Sequence, residues 1–363
     1  MITAEENQLL TQTDRGTPCG ELMRRYWQPV ALGEELPAGG APRKVKILGE
    51  ELALFRDDQG RPGLIGLHCS HRGTDLSYGR VEDGGLRCLY HGWLYDICGR
   101  VLDQPGEPGG GANKAAIRHL AYPCQETGGV IFTYMGPGDP PLVPSYEFLT
   151  VAPENRTVVK ALYECNYLQA NEGNIDPVHL SFLHQFLDEA QIARRRVVQS
   201  VNASDNTLLA KDVAPTIEVE VKNYGLRIST LRDASADKRY LRVTNFVMPN
   251  LSAFGGSTVG DGYAAHWHVP IDDHRHWKYI FAFSRTGPLD EFLRTRSRAE
   301  LTDDYRLSKT AANRYQQDRA STECGTRVRP LGAHRKVGTG EDAYSTAVYN
   351  RYACPSPAFT PLP

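Results

Sequence analysis

The chain has no run of about 18 apolar residues, so no stretch of it reads as a helix that spans a bilayer. It carries little net charge, -2 at pH 7, which leaves no electrostatic case for nucleic acid or an anionic membrane as partner. Its first residues, Met1 to Asn7, are acidic and lack an apolar core, so they are not a secretory signal, and the cytoplasm is the expected location. The glycine-rich stretch from Gly106 to Gly111 lacks the Gly-Lys-Ser/Thr ending of a phosphate loop, and no dinucleotide fingerprint occurs anywhere. Internal repeats and low-complexity tracts are also missing. Without a secretory leader, the eight cysteines read as free thiols and metal ligands rather than as a disulfide framework.

What is present is concentrated in two stretches. The first holds Cys69-Ser70-His71-Arg72-Gly73 and Cys88-Leu89-Tyr90-His91-Gly92-Trp93, a Cys-x-His pair and a Cys-x-x-His pair. A Rieske [2Fe–2S] centre needs this set: two Cys hold one iron and two His replace Cys on the other, which raises the potential. Gly73 and Gly92 let backbone N–H groups approach the sulfurs, and such hydrogen bonds tune the potential. Two other readings compete: one tetrahedral zinc held by the same four residues, and cysteines that are merely small buried hydrophobes. The interleaved Cys-His order departs from zinc fingers, which keep Cys with Cys and His with His.

The second stretch is Asp176-Pro177-Val178-His179-Leu180-Ser181-Phe182-Leu183-His184. Five residues on a regular helix rotate by about 140°, so His179 and His184 diverge unless the helix bends or both approach one metal from two sides. Asp176 and His179, at i and i+3, share a face. Two His plus one carboxylate with open positions is the facial triad of non-haem Fe(II) oxygenases.

The expected fold is α+β: an N-terminal all-β Rieske [2Fe–2S] domain followed by a helix-plus-antiparallel-sheet catalytic domain. Residues 1–40 read as a helical leader, with Thr17-Pro18 as N-cap and first helical residue and Leu22, Met23, Tyr26 and Trp27 as its apolar face. Residues 41–145 read as the cluster domain, with hairpins at Val45–Arg56 and Tyr95–Val101 and a last strand at Gly128–Met135. Gly136 to Pro141 reads as a linker. Residues 146–321 read as the non-haem iron domain. Its expected elements are a strand at Val158–Tyr163 and a helical region over Asn166–Leu187 broken at Pro177. Further strands are expected at Leu208–Ala210, Ile217–Val221, Leu226–Leu231, Tyr240–Met248, Ala264–Pro270 and Trp277–Phe283, then a charged helix from Leu289 to about Arg319. Residues 322–363 read as an atypical tail.

From about residue 5 to about residue 320 the chain resembles the oxygenase (α) subunits of Rieske non-haem iron aromatic-ring hydroxylases, on the phthalate 4,5-dioxygenase-like branch. The resemblance rests on the two Cys/His motifs, on Asn171-Glu172-Gly173-Asn174-x-Asp176-x-x-His179-x-x-x-x-His184, and on Trp267-His268-Val269-Pro270-Ile271-Asp272-Asp273. It implies that Cys69, His71, Cys88 and His91 hold the cluster and that His179 and His184 hold a mononuclear Fe(II). Asp176 would bridge a cluster His, His91 or His71, to an iron-ligating His across a subunit interface. A homotrimer or stacked trimers is implied, fed by a separate NAD(P)H-dependent flavin/iron–sulfur reductase. The implied reaction is O2-dependent hydroxylation, dihydroxylation or O-demethylation of an aromatic or similar small substrate. The alternative is a catalytically impaired Rieske electron-transfer or iron-binding protein.

The resemblance also implies a third iron ligand, an Asp or Glu near the C-terminus, which has no clear match. Asn313 to Arg319 resembles the segment preceding it, which argues against Asp318. Beyond about Thr322 the pattern ends, and two readings stand: an out-of-frame tail, or ligation by Glu341 or Asp342 in a diverged one. Of His266, His268, His274 and His276, the first two share a strand face, from which one could line a substrate pocket; the favoured reading is ordinary hydrogen-bonded sheet histidines. Cys98, Cys124 and Cys165 read as small buried residues.

Overall fold

The structure is a computed structural model that describes residues 2–182, 212–255, 261–299 and 301–308. The N-terminal stretch forms α1 (Ala4–Thr11), opened by a Thr3/Glu6 capping box, and α2 (Pro18–Arg24), where the Thr17 side chain accepts from Gly20 N and Pro18 takes the first turn. The helix ends before Tyr26 and Trp27. A strand, β1 (Gln28–Leu32), follows inside the stretch read as leader. Pro29 masks it in the sequence, since proline is tolerated only on a sheet edge. The edge is where β1 sits, paired on one side with the strand at Val130–Thr133.

The next elements are β2 (Arg43–Ile47) and β3 (Glu50–Arg56), the expected hairpin. Its two-residue turn, Leu48-Gly49, has φ of 48° and 80°, the backbone a tight hairpin needs. Leu48 N and Gly49 N donate to the Pro270 and Ile271 carbonyls, so the turn is also a junction with the second half of the chain. β4 (Pro62–Gly66) pairs with β3. A second small sheet contains β5 (Arg80–Glu82), β6 (Gly85–Arg87), β7 (Leu94–Tyr95) and β8 (Val101–Asp103). Then come β9 (Ala121–Tyr122), β10 (Cys124–Thr127) and β11 (Val130–Thr133). Phe55, Ile65, Leu67, Leu76, Leu86, Trp93, Tyr95 and Val101 fill the space between the sheets and seat Cys69 and Cys88 among them.

After α3 (Glu147–Thr150) and β12 (Arg156–Tyr163) comes α4 (Tyr167–Ile175), capped by the Asn166 side chain. Strands β13 (Thr216–Lys222), β14 (Gly225–Asp233), β15 (Arg239–Val247), β16 (Leu251–Phe254), β17 (Ala264–Asp272) and β18 (Arg275–Phe283) join β12 in one antiparallel sheet. Its order is β12-β18-β17-β16-β15-β14-β13. The short β16 was not anticipated, and the Leu208–Ala210 candidate lies outside the described residues. The charged helix expected over Leu289–Arg319 is shorter: α5 (Glu291–Ala299) stops, and Thr302 to Arg306 makes a turn instead. The Thr302 hydroxyl takes the Arg306 N–H, the local competition by which Thr and Asp break helices. Among the described residues no helix is long and apolar enough to cross a membrane.

The seven-stranded sheet has two unlike faces. Alternation and register put Trp267, Val269, Tyr279 and Phe281 on one face. That face packs against the first half of the chain, with Phe132 and Trp267 ring centroids 5.4 Å apart. The other face carries His266, His268, His276, Lys278, Ser252, Thr244, Thr230 and Arg232. Nearly all of these polar groups are buried, and α4 lies over them.

Candidate metal centres

β4 delivers Cys69 to a loop that closes on itself, with Gly73 N donating to the Cys69 carbonyl at 2.8 Å. β6 delivers Cys88 to a similar loop, closed by Gly92 N on the Cys88 carbonyl at 3.1 Å. Gly73 and Gly92 have φ of 72° and 74°, the left-handed backbone that glycine adopts without strain. Both thiols are buried and lie side by side. The His71 and His91 rings meet edge to face with centroids 4.6 Å apart. His71 also stacks flat on Trp93 at 4.9 Å. The four residues thus gather as a thiol pair and an imidazole pair. Among the described residues no three His, Cys, Asp or Glu side chains form one ion's ligand set, as a structural zinc needs.

The set fits a [2Fe–2S] cluster on two grounds. The buried His71 Nδ1 has no hydrogen-bond partner, a state in which a ring nitrogen is costly unless it takes a ligand. Burial pushes the Cys69 thiol above its ordinary value, opposed by the Tyr95 hydroxyl and the His71 backbone and reinforced by the adjacent Cys88. Two thiolates in that space need a cationic centre between them.

Support comes from Tyr95 and His119. The Tyr95 hydroxyl lies 3.0 Å from Cys69 Sγ and accepts from Ser70 N at 3.2 Å. His119 Nε2 lies 2.7 Å from the Gly66 carbonyl, which can only accept, so Nε2 carries the proton and Nδ1 accepts from Ser70 Oγ at 2.7 Å. Burial lowers the His119 pKa, in keeping with a neutral ring. On the outer side His91, Leu89, Tyr90 and Tyr78 are exposed, so the imidazole edge of the site faces the surface.

The second stretch folds as α4, then an extended Asp176, then a single helical turn over His179–Ser181. Pro177 ends the helix because it has no N–H to donate. Asp176 Oδ1 accepts from Val178 N at 2.7 Å, and Asp176 Oδ2 lies 3.6 Å from His179 Nδ1. Burial alone would raise the Asp176 carboxyl, but the His179 ring and the Val178 and His179 N–H groups outweigh it and hold the carboxyl below its ordinary value. One turn back, burial pushes Glu172 up to about 7. His184 lies outside the described residues, as do Asp318, Glu341, Asp342 and the tail from Thr322, so the structure brings together only Asp176 and His179 of this set.

Two groups to which sequence reasoning assigned no separate role hold this loop. Arg232 on β14, fully buried, donates through Nη2 to the Pro177 carbonyl at 2.7 Å and to Ser181 Oγ at 3.2 Å. Asn174, near the end of α4, meets His268 and Lys278 on the sheet. His268 and His276 are the hydrogen-bonded sheet histidines expected, 3.2 Å apart through Nδ1 and Nε2. Cys165 is buried, but Cys124 is only half-buried and Cys98 is exposed, at a turn where its N–H donates to Asp96 Oδ1.

A profile for the Rieske [2Fe-2S] domain matches residues 26–121, and one described as LigXa C-terminal domain like matches residues 133–330. The phthalate 4,5-dioxygenase oxygenase subunit of Pseudomonas putida is 36% identical over 342 residues, covering 90% of this chain and 75% of that protein. The 5,5'-dehydrodivanillate O-demethylase oxygenase subunit of Sphingobium sp. is 41% identical over 187 residues, covering 51% of this chain and 44% of that one. In fold, the terminal oxygenase of carbazole 1,9a-dioxygenase from Novosphingobium sp. KA1 superposes with a TM-score of 0.60 at 17% identity, covering 96% of each chain.

Proposed function

The chain belongs to the family of Rieske-type oxygenase α subunits, and from that membership we propose that it is the oxygenase component of a multicomponent system acting on an aromatic or similar small substrate with O2. Its family carries a [2Fe–2S] cluster and a mononuclear iron. Cys69 and Cys88 are proposed as the thiolate ligands of the cluster, and His71 and His91 as its imidazole ligands. His179 and His184 are proposed as ligands of the mononuclear Fe(II). When bound, the cluster supplies single electrons and the Fe(II) supplies oxygen activation.

The residues of the chain have distinct parts in this reading. The Trp93 ring and the glycine-closed loops orient His71 and His91 toward the surface, where an electron donor or a neighbouring subunit docks. Asp176, kept ionised by His179 and by backbone N–H groups, offers a carboxylate oxygen that can accept a hydrogen bond from a histidine of a neighbouring subunit. A trimer and a separate reductase belong to the proposal. Phthalate and dehydrodivanillate, named for the two relatives, suggest a substituted aromatic substrate and make ring hydroxylation and O-demethylation the reactions to try first.

The observation that carries the reading is the pairing of the Cys69 and Cys88 thiols beside the facing His71 and His91 rings. Iron quantitation on anaerobically purified protein tests it. About three irons per chain and substrate-dependent O2 uptake with a generic reductase are expected; two irons and no turnover would leave an electron-transfer protein.

A further inference from the structure

Resting on the reading of His179 as an iron ligand, we propose that His268, braced by His276, is a positioning residue that sets where Asp176 and His179 stand. The chain of contacts runs from one end of α4 to the other by way of the sheet. His276 Nδ1 lies 2.9 Å from the Cys165 carbonyl, just before the helix. A carbonyl only accepts, so His276 Nδ1 carries the proton and His276 Nε2 accepts. His268 Nδ1, 3.2 Å away, is then the donor, and His268 Nε2 accepts from Asn174 Nδ2 at 2.5 Å. The remaining Asn174 oxygen accepts from Lys278 Nζ at 3.3 Å. Each group has one role, and the order of donors is consistent only when both rings are neutral.

Burial supports that state. Both histidines are 0% exposed, and burial holds both well below the ordinary imidazole value, His276 at about 3. Asn174 precedes Asp176 by two residues, and its amide is gripped by two adjacent strands at once. Arg232 holds the far side of the same loop through Pro177 and Ser181. Asp176 and His179 thus lie on a short span anchored at both ends. Without the His268 acceptor, the half-buried Asn174 amide has a donor to re-pair, and the end of α4 moves to do so.

Anaerobic Fe(II) titration of the full-length, cluster-loaded protein tests this. The wild type is expected to bind one Fe(II) beyond the cluster; if it does not, the iron reading falls and this inference with it. His268→Leu is expected to weaken that binding by about 10- to 100-fold, the range for a group that orients a metal ligand. His268→Gln, which keeps an acceptor for Asn174 and a donor for His276, is expected to stay within about 3-fold of the wild type by the same reasoning. The EPR spectrum of the reduced cluster is expected to be unchanged in both. Wild-type affinity in His268→Leu, or equal loss in His268→Gln, overturns the proposal. Should His268→Leu fail to keep its cluster, Asn174→Ala removes the same grip from the helix side: weakened Fe(II) binding supports positioning, and wild-type binding overturns it. Loss of the cluster in both variants assigns the pair to folding and also overturns it.

Discussion

Around Cys69 and Cys88 the closing bonds are local: Gly73 N reaches the Cys69 carbonyl and Gly92 N the Cys88 carbonyl within one loop each. Around Asp176 and His179 the holding bonds come from afar, from Arg232 across 51 and 55 residues and from His268 across 94. A site built from self-closing loops keeps its geometry whenever the small domain folds. A site hung between a helix end and a distant sheet inherits every shift in that sheet. The two therefore differ in what can damage them: cluster binding should respond to its own motifs, and iron binding to residues far from the metal.

If the two sites are held independently, one can be lost without the other. Cys88→Ala removes a buried thiol from the paired set. It should abolish the cluster's visible absorption and bring O2-dependent turnover to background, while Fe(II) binding at the second site stays within about 3-fold, as expected for sites that share no partner. Both are read on one preparation, by absorption and by iron titration. A parallel collapse of Fe(II) binding would show that the two sites fold as one unit.

Acid sharpens the contrast from the other side. His268 is fully buried with its pKa well below the ordinary value, so the folded state does not take the proton that the unfolded chain takes near pH 6.5. Stability contributed by such a group is present above about pH 6.5 and is lost as pH falls toward the folded pKa, by up to about 1.4 kcal/mol per pH unit. His276, at about 3, adds the same sign over the same window. Denaturant unfolding from pH 7 to pH 5 should give a slope that His268→Gln reduces by about 1 kcal/mol per pH unit on average, since the unfolded imidazole is only partly protonated at the upper end of that window. An unchanged slope would mean that His268 already holds a proton in the fold, and the donor order through Asn174 would be wrong.

Legibility in the sequence follows the same division. The cluster stretch was readable because its candidate ligands sit two or three residues apart in each motif and its strands show as short apolar runs split by glycine turns, as in the Val45–Arg56 hairpin. β1 was hidden by Pro29, whose edge position depends on pairing with a strand about a hundred residues on. Asp176 and His179 stood out in the sequence as a candidate carboxylate and imidazole pair. Asn174, Arg232, His268 and Lys278 were not readable as their support, because nothing in a strand's alternation says which helix end will lie across it. The helix expected to run to Arg319 failed at Thr302, where a side-chain hydroxyl took a backbone partner that periodicity does not see.

The smallest effect concerns a cluster contact that reaches across 26 residues. Tyr95 Oη accepts from Ser70 N, which leaves its own proton for Cys69 Sγ at 3.0 Å. A hydrogen bond to a cluster sulfur favours the reduced, more negative state and so raises the potential. Tyr95→Phe keeps the ring against Trp93 and His119, at centroid distances of 6.5 Å and 4.6 Å, and removes only the hydroxyl. One hydrogen bond of about 1 kcal/mol corresponds to roughly 40 mV for one electron, so the potential should fall by that order in a redox titration followed by EPR. A drop of this size with unchanged Fe(II) affinity would place Tyr95 in tuning the cluster rather than in holding it. No drop at all would turn the Tyr95 proton away from the sulfur and leave the potential to the two glycine-closed loops.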